Sequence, residues 1–394
     1  MKKRIICLFI CILISLSFIQ CGKEEAYDGI SVWVNCSEDE KEQYNKLLKQ
    51  FTEETGIKAK VRAYEFDATN YSMFCKSSKD RADVVWGLST EEIEELVNNT
   101  VLEELREGTD NVEDYVSEDL IQNTTLNGKR YAIPAYQESV ALFYNKDLVS
   151  EVPEDMDKFL DLCEEKGFAF NINNGYFSYG FLASCGGYVY KNENGVFNTD
   201  DIGLWNDGAI RGYEVLQDIT VNRKIVALDT NDEFAESYFA NGYTAFYLGE
   251  YKKIKSFEEL DINFGVCKVP KIDGNEFKPF KEVKMAFVNP YAKNKDDSYE
   301  LLKYLQENAG EIMINYGNRV PVLKKDIESD DFKNNEYLQG FYDQIKVAEV
   351  TPNICKFDAY WTIISRNLEL LNRGELTPKE CSESVKKDFD DMYK

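Results

Sequence analysis

The stretch AIPAYQESVALFYNKDL, residues 132–148, holds two short segments with the composition of β-strands. Residues 131–134 and 140–144 are rich in apolar, β-branched and aromatic side chains, which favour extended structure. We expect both segments to be strands that carry the chain from one region of the molecule into the next. The stretch therefore predicts a molecule built from more than one compact region.

On the N-terminal side, strands and helices alternate along the sequence. Residues 30–35 form an apolar, β-branched run that is typical of a buried parallel strand. Ser37-x-x-Glu40 is a capping box that predicts the start of a helix, which we expect to end at Gly56. Residues 57–63 and 82–86 are predicted strands, the second ended by Gly87, and Ser89 is expected to cap the next helix. This alternation predicts an open α/β sheet.

The alternation resumes towards the C-terminus. Apolar side chains at helical spacing predict helices over 209–219, 234–240 and 363–371, with a strand at 243–248 and a last helix that starts at Pro378. A chain of 394 residues is too long for one ordinary core. Because it has only eight prolines and no stiff linker, two lobes joined by several strand crossings are expected.

The composition excludes several classes of function. The chain has no histidine, so Ser-His-Asp and Cys-His nucleophile machinery and imidazole metal sites are impossible. A formal net charge of −25 argues against a nucleic-acid partner, because a duplex would be repelled. With 71 acidic residues, chance carboxylate pairs are unavoidable and do not indicate a glycosidase. We therefore expect no enzyme, no cofactor and no metal site.

The N-terminus has the pattern of a secreted protein. Three basic residues precede an apolar run at 5–19, which is short for a membrane span and predicts a signal peptide over residues 1–20. Cys21 follows at a position that resembles a bacterial lipobox, where the thiol is acylated and residues 21–28 would form a tether. Simple secretion with a free Cys21 is the alternative. The remaining cysteines are scattered without short spacings, which favours buried free thiols over disulfides.

The order of motifs resembles the extracellular solute-binding proteins of the maltose-binding-protein type, which serve ABC importers. The similarity extends from about Ile30 to Met392 and is carried by five short stretches in order. These are residues 30–35 with 51–58, residues 82–86, residues 132–148, residues 176–201 and residues 351–361. The resemblance implies two α/β lobes around a ligand cleft that closes by hinge motion. It places the N-terminal lobe at 29–136 and 286–330, and the C-terminal lobe at 137–285 and 331–394.

The resemblance also implies where a ligand binds. In this family, sugar rings stack on aromatic side chains and polar groups take the hydroxyls. Carried over position by position, the contacts are Glu138, Tyr176, Tyr251 and Trp361. Two segments of the N-terminal lobe that carry polar ligand contacts in the family have other residues in this chain. Ser37 and Thr90 are expected to supply hydroxyl contacts in their place. Trp33 and Trp86 lie on predicted strands and are expected in the core.

These implications favour a lipid-anchored receptor for an oligosaccharide. The expected partners are the ligand, an ABC permease and the membrane through Cys21, with the chain a monomer at the outer face of the cytoplasmic membrane or in the periplasm. The same fold with a peptide, a polyamine or another small solute as ligand is an alternative. A surface receptor without a transporter is another.

Overall fold

The computed structural model describes residues 27–63, 66–77, 79 and 81–392, so the predicted signal peptide and Cys21 lie outside the described residues. The strands, numbered β1 to β14 along the chain, are Ile30–Val34, Ala59–Ala63, Val84–Ser89, Thr125–Leu126, Lys129–Arg130, Ile133–Asn145, Phe168–Ala169, Lys191–Glu193, Val196–Asn198, Phe246–Glu250, Phe264–Cys267, Phe280–Val288, Val320–Pro321 and Glu349–Val350.

The α-helices, numbered α1 to α16, are Glu38–Thr55, Ala68–Phe74, Ile93–Asn98, Asp119–Asn123, Met156–Lys166, Gly175–Ser184, Asp207–Gln217, Asp232–Ala240, Lys253–Glu259, Lys295–Asn308, Gly310–Asn315, Lys324–Ile327, Asp330–Lys333, Glu336–Ile345, Asp358–Asn372 and Pro378–Met392. Short 3₁₀ turns lie at Thr90–Glu92, Val112–Asp114 and Cys355–Phe357, and a π-helical turn at Asp218–Asn222.

The main sheet has the strand order β2-β1-β3-β12-β6-β10-β7. β1 is parallel to both of its neighbours, as its unbroken apolar composition predicts. β12 is antiparallel to β3 and to β6, while β10 and β11 are antiparallel to the far half of β6. The fold is therefore a mixed α/β structure in which two long strands, β6 and β12, join two lobes.

The hydrophobic core divides accordingly. One cluster gathers apolar side chains of residues 30–136 and 286–313, among them Tyr44 and Phe51 of α1. Another gathers side chains of residues 140–280 and 357–389, with Phe159, Tyr213 and Tyr360 among its largest members. The prediction that Trp33 and Trp86 are core residues is confirmed, since each is only 1% exposed.

Two sequence predictions about strands are wrong in detail. The segments at 131–134 and 140–144 belong to one strand of 13 residues, because the intervening polar residues continue the pairing with β12. The strand predicted to end at Gly87 continues to Ser89. Its pairing with β12 shifts register between Met285 and Ala286, opposite Gly87, whose φ of +102° accommodates a β-bulge.

Helix boundaries follow the local signals more closely. The capping box is present, with the Ser37 hydroxyl accepting from the Glu40 backbone amide, and Gly56 ends α1 in the left-handed conformation. Ser89 caps the 3₁₀ turn that leads into α3. Pro378 opens the last helix, where its missing N–H costs no hydrogen bond.

The seven cysteines of the described residues are free thiols. Cys36, Cys75, Cys163 and Cys381 are buried as predicted, whereas Cys185 and Cys267 are partly buried and Cys355 is exposed. Within the same part of the chain, no group of His, Cys, Asp and Glu side chains is arranged to hold a metal ion. The described helices include none with the length and apolar composition needed to cross a bilayer.

Candidate ligand-binding site

The two crossing strands place charged side chains at the junction of the lobes. Glu138 of β6 lies directly opposite Glu282 of β12, and Lys284 lies opposite Tyr136. Because side chains alternate along a strand, these four residues project from the same face of the sheet. The remaining residues of β12 are mostly buried and apolar, so the charged pair at alternate positions is a specific feature of this face.

One cation on this face serves two carboxylates. The Lys284 ammonium forms an ion pair with Glu282 and lies 3.6 Å from a carboxylate oxygen of Glu138. Burial alone would lower the pKa of Lys284, but the Glu282 and Glu138 carboxylates raise it, so the ammonium stays charged. Lys284, Glu282 and Glu138 therefore pair with one another at the junction of the lobes, and together they carry one excess negative charge.

A cavity of about 740 Å³ opens beside Glu282. Its aromatic wall consists of Tyr176, Phe177 and Trp361, and its polar wall includes Glu91 and Glu250. The other lining residues are Asn171, Asn173, Asn174, Asp232, Ser365, Arg366 and Glu369. Glu91 belongs to the 3₁₀ turn after β3 in the first lobe, whereas the three aromatic residues and Glu250 belong to the second, so the cavity lies between the lobes.

The position of Trp361 is fixed by an aromatic cluster. Its ring centroid lies 4.9 Å from that of Phe357 and 5.7 Å from that of Phe280, both in edge-to-face arrangements. Such contacts each add about 0.5–1.5 kcal/mol beyond the buried area. Trp361 itself is only partly buried and lines the cavity, so the cluster holds a preformed aromatic surface towards the space between the lobes.

Tyr176 forms the second aromatic surface. The Asn174 side chain accepts from the Tyr176 backbone amide at 2.8 Å and caps α6, which fixes the first turn of that helix. The Tyr176 ring centroid lies 6.4 Å from that of Trp361, with the planes at 53°. The Tyr176 hydroxyl is buried and has no hydrogen-bond partner among the described residues. Leaving a buried hydroxyl without a partner is costly, so a hydrogen bond to this atom would be stabilising.

The carboxylates that line the cavity are electrostatically perturbed. Burial raises the pKa of Glu250 to about 6, with Glu138 and Glu282 acting in the same direction. Burial, reinforced by Glu282, also raises the pKa of Glu91 above its ordinary value. The cavity therefore disfavours the ionised form of both carboxyl groups, and the neighbouring lysines do not offset this effect.

The structure brings two of the six predicted contact residues, Tyr176 and Trp361, to the cavity wall. Glu138 and Tyr251 lie behind it. Glu138 is 5% exposed beside Lys284. Tyr251 is 6% exposed, and burial together with the nearby Glu138 carboxylate raises the pKa of its hydroxyl. The Tyr251 ring also lies 5.6 Å from the guanidinium of Arg319, which is paired with Glu40. Glu138 and Tyr251 therefore contact charged residues at the junction of the lobes and are not part of the cavity lining.

The other two predicted residues are used elsewhere in the fold. Ser37 is exposed and its hydroxyl is engaged in the capping box of α1. Thr90 is 1% exposed and its hydroxyl donates to the Asn123 side chain, whose amide in turn donates to the Thr351 carbonyl at 2.9 Å. The structure therefore does not bring Ser37 or Thr90 to the wall on which Tyr176 and Trp361 lie.

Sequence reasoning missed the lining carboxylates, above all Glu91, Glu250 and Glu282. A signal existed for Glu282, because charged residues alternate with apolar ones in FKEVKMAFV, residues 280–288. Glu91 and Glu250 carry no comparable signal, since one lies in a helix-capping turn and the other at a strand end, where acidic residues are common. Only the folded chain brings them to the same cavity.

Comparison with known proteins identifies the family. Residues 37–312 match the model of the bacterial extracellular solute-binding protein family, and the chain belongs to this family. The galactooligosaccharide-binding protein of Bacillus subtilis (strain 168) is 25% identical over 406 residues, covering 97% of this chain and 95% of that protein.

Solved structures are similar over nearly the whole chain. A cyclo/maltodextrin-binding protein complexed with maltotetraose is 25% identical, with a TM-score of 0.84 over 94% of this chain and 98% of that one. The maltose-binding periplasmic protein MalE of Listeria monocytogenes, in complex with maltose, is 28% identical, with a TM-score of 0.81 over 92% of this chain and 97% of that one. The fold is thus the two-lobed fold of maltose-binding-type proteins, as the sequence predicted.

Proposed function

We propose that this chain is the substrate-binding component of an ABC importer and takes an oligosaccharide into the cavity between its lobes. The observation that carries the proposal is the pairing of a partly exposed Trp361 with Tyr176 on one wall of that cavity. The similarity to a galactooligosaccharide-binding protein over almost the full length supports it.

The chemistry of the cavity suits a saccharide. The C–H face of a sugar ring can lie on the Trp361 indole, while its hydroxyls donate to lining carboxylates and accept from the Asn174 side-chain N–H groups. The Tyr176 hydroxyl, which has no partner among the described residues, can form a hydrogen bond with such a ligand. The proposed role is to bind and release a ligand, with no catalytic step.

Closure of the lobes on the ligand would complete the site, because Glu91 lies in the other lobe from both aromatic residues. The ion pair between Asp39 of α1 and Lys255 of α9 also connects the lobes. Exposed pairs of this kind contribute at most about 1 kcal/mol, which leaves closure reversible. We place the lobe boundaries at 29–136 with 286–330 and at 137–285 with 331–394, so that β6 and β12 are the hinge strands.

We propose further that the mature chain, a monomer, is held at the outer surface of the cytoplasmic membrane by lipid on Cys21 and delivers its ligand to a permease. A relative's lipoprotein description supports this anchoring: the maltooligosaccharide ABC transporter solute-binding lipoprotein of Streptococcus pneumoniae (strain ATCC BAA-255 / R6) is 28% identical over 60% of this chain. Mass spectrometry of protein extracted from membranes should show Cys21 as the acylated first residue. An unmodified Cys21, or another mature N-terminus, would contradict the anchor.

Thermal unfolding in the presence of a ligand panel tests the proposed ligand class. A ligand that binds only the folded state raises Tm in proportion to its affinity and concentration. We expect a raised Tm with at least one trisaccharide among galactose-, glucose- and glucosamine-based oligomers, and none with short peptides. If no saccharide shifts Tm while peptides or polyamines do, the oligosaccharide proposal is wrong.

A further inference from the structure

The charge of the cavity lining is unbalanced. Five carboxylates, those of Glu91, Asp232, Glu250, Glu282 and Glu369, face one guanidinium, that of Arg366. The Arg366 side chain is 72% exposed and lies 3.7 Å from the Asp388 carboxylate, outside the lining. Its charge is therefore shared with another acid and with solvent.

The Lys284 ammonium does not offset the excess of carboxylates in the cavity lining. Lys284 already pairs with Glu282 and Glu138, two acids to one cation. Glu369 is compensated by Arg373, at 2.5 Å. Glu91 and Glu250 have no ion pair among the described residues, and they come from opposite lobes to the same cavity. Burial disfavours their ionised form, and when ionised each of them is also repelled by the Glu282 carboxylate, which raises the pKa of both.

A second, independent observation concerns the Tyr176 hydroxyl at the same cavity. Tyr176 is 9% exposed, lines the same cavity, and its hydroxyl has no partner among the described side chains and backbone groups. A group that donates several hydrogen bonds would satisfy this oxygen and the two carboxylates together. An ammonium carries three N–H donors and one positive charge, and it is also attracted to aromatic faces.

We propose that the ligand of this cleft is a cationic saccharide, an oligosaccharide with at least one free amino group, held by Glu91, Glu250 and Tyr176. The inference rests on the proposed function and names the class of saccharide. A neutral sugar offers hydroxyl donors but leaves the repulsion between the carboxylates in place. A protonated amine removes that repulsion and forms charge-assisted hydrogen bonds, which are roughly twice as strong as neutral ones.

Isothermal titration with matched ligands tests the inference. The probes are the β-1,4-linked glucosamine trisaccharide, its fully N-acetylated counterpart, maltotriose, a galactose trisaccharide and spermidine. We expect the free-amine trisaccharide to bind at least tenfold more tightly than each neutral saccharide. We also expect sodium chloride at 500 mM to weaken its binding severalfold relative to 50 mM, because the attraction is screened.

Two variants test whether Glu91 and Glu250 bind the amine group of the trisaccharide. Glu91→Gln and Glu250→Gln keep the side-chain shape and should each weaken binding of the amine trisaccharide about tenfold. Glu53→Gln, an exposed acid on α1, is the matched control and should leave it unchanged. Circular dichroism of each variant verifies folding, and the salt dependence of the unaltered chain tests the inference without any variant.

The outcomes separate the two proposals. Tighter binding of any neutral trisaccharide than of the amine trisaccharide overturns the cationic inference and leaves the oligosaccharide proposal standing. Binding of spermidine with no saccharide bound overturns both. Equal affinities of the control variant and of the two glutamine variants for the amine trisaccharide would show that its charge is not recognised by this cavity.

Discussion

At the scale of single residues, the site rests on two aromatic side chains with different surroundings. Trp361 is held by Phe357 and Phe280 and presents part of its ring to the cavity. Tyr176 is nearly buried, and its hydroxyl lacks a partner in the described structure. The first residue presents a preformed aromatic surface, and the second has a hydroxyl without a hydrogen-bond partner at the same wall. Rigid aromatic surfaces lower the entropic cost of binding.

Removing the unused hydroxyl should affect binding and spare stability. Tyr176→Phe deletes a buried polar atom without a partner, so the free energy of unfolding should stay equal or rise. Ligand binding should weaken by about 0.5–1.5 kcal/mol, the typical value of one hydrogen bond. Urea unfolding and isothermal titration measure the two effects.

Tyr360→Phe is the matched control, because that hydroxyl donates to the Gly175 carbonyl at 3.0 Å and is buried. It should lower the free energy of unfolding by about 1 kcal/mol. A loss of stability in Tyr176→Phe as large as that in the control would show that the Tyr176 hydroxyl has an unrecognised partner in the fold.

Glu250 should make the stability of the free protein pH-dependent. Its pKa is raised to about 6 in the folded chain by burial and by Glu138 and Glu282, against the opposing effect of Lys252 and Lys284. A raised folded pKa stabilises the protein below the unfolded pKa of about 4.3, and that contribution is lost as pH rises through about 6.

Glu250→Gln removes this dependence. Relative to the unaltered chain, the variant should gain up to about 2 kcal/mol in free energy of unfolding between pH 4.5 and pH 7.5, since one pKa unit equals about 1.4 kcal/mol. Urea unfolding at both pH values, without ligand, measures the difference. A difference between variant and unaltered chain that is the same at both pH values would mean that the pKa of Glu250 is not raised.

The sequence was sufficient to predict two aromatic residues that line the cavity but not the acidic residues that line it. Tyr176 and Trp361 lie in stretches with the family's order and spacing, so their position could be inferred from neighbouring residues. Glu91 and Glu250 are more than 150 residues apart and meet only through lobe packing. Thr90 is the opposite case. It was predicted to contact the ligand, but in the folded chain its buried hydroxyl donates to the Asn123 side chain.

At the scale of elements, β6 and β12 decide where the site lies. Their antiparallel pairing places Glu138 opposite Glu282, and the far half of β6 continues into the second lobe to pair with β10 and β11. Alternation of strands and helices was predictable from hydrophobic periodicity. The continuity of β6 was not, because Gln137, Glu138 and Ser139 are polar residues that are buried in the folded chain.

Gly87 forms the β-bulge in the pairing of β3 with β12, and its substitution by alanine should destabilise the protein. Gly87 has a φ of +102°, and an added Cβ would lie 2.7 Å from the Tyr136 hydroxyl oxygen. Gly87→Ala should lower the free energy of unfolding by about 1–3 kcal/mol, the cost of a residue in an unfavourable backbone region. Urea unfolding gives the value.

Gly242→Ala separates the two contributions, because Gly242 has a φ of +70° and nothing within 4 Å of the added Cβ. It measures backbone strain alone, so Gly87→Ala should be the more destabilising of the two. The opposite order would contradict the close packing of Gly87 against Tyr136.

At the scale of the whole molecule, the two lobes enclose a cavity to which each contributes. Glu91 comes from the first lobe, Tyr176 and Trp361 come from the second, and Asp39 and Lys255 form an ion pair between the lobes. The absence of histidine from the 394 residues is compatible with the proposed binding role, which requires no nucleophile or proton shuttle.

The decisive measurement is isothermal titration of the unaltered chain and of Trp361→Ala with the oligosaccharide that gives the largest thermal shift. It tests whether the ligand binds between the lobes at Tyr176 and Trp361. Trp205→Ala is the control, since Trp205 packs against Phe389 in the same lobe and is not part of the cavity lining. We expect Trp361→Ala to weaken binding by about 1–3 kcal/mol, the usual cost of losing an aromatic anchor, and the control to bind normally. Equal affinity of Trp361→Ala and the unaltered chain would contradict a binding site between the lobes at Tyr176 and Trp361.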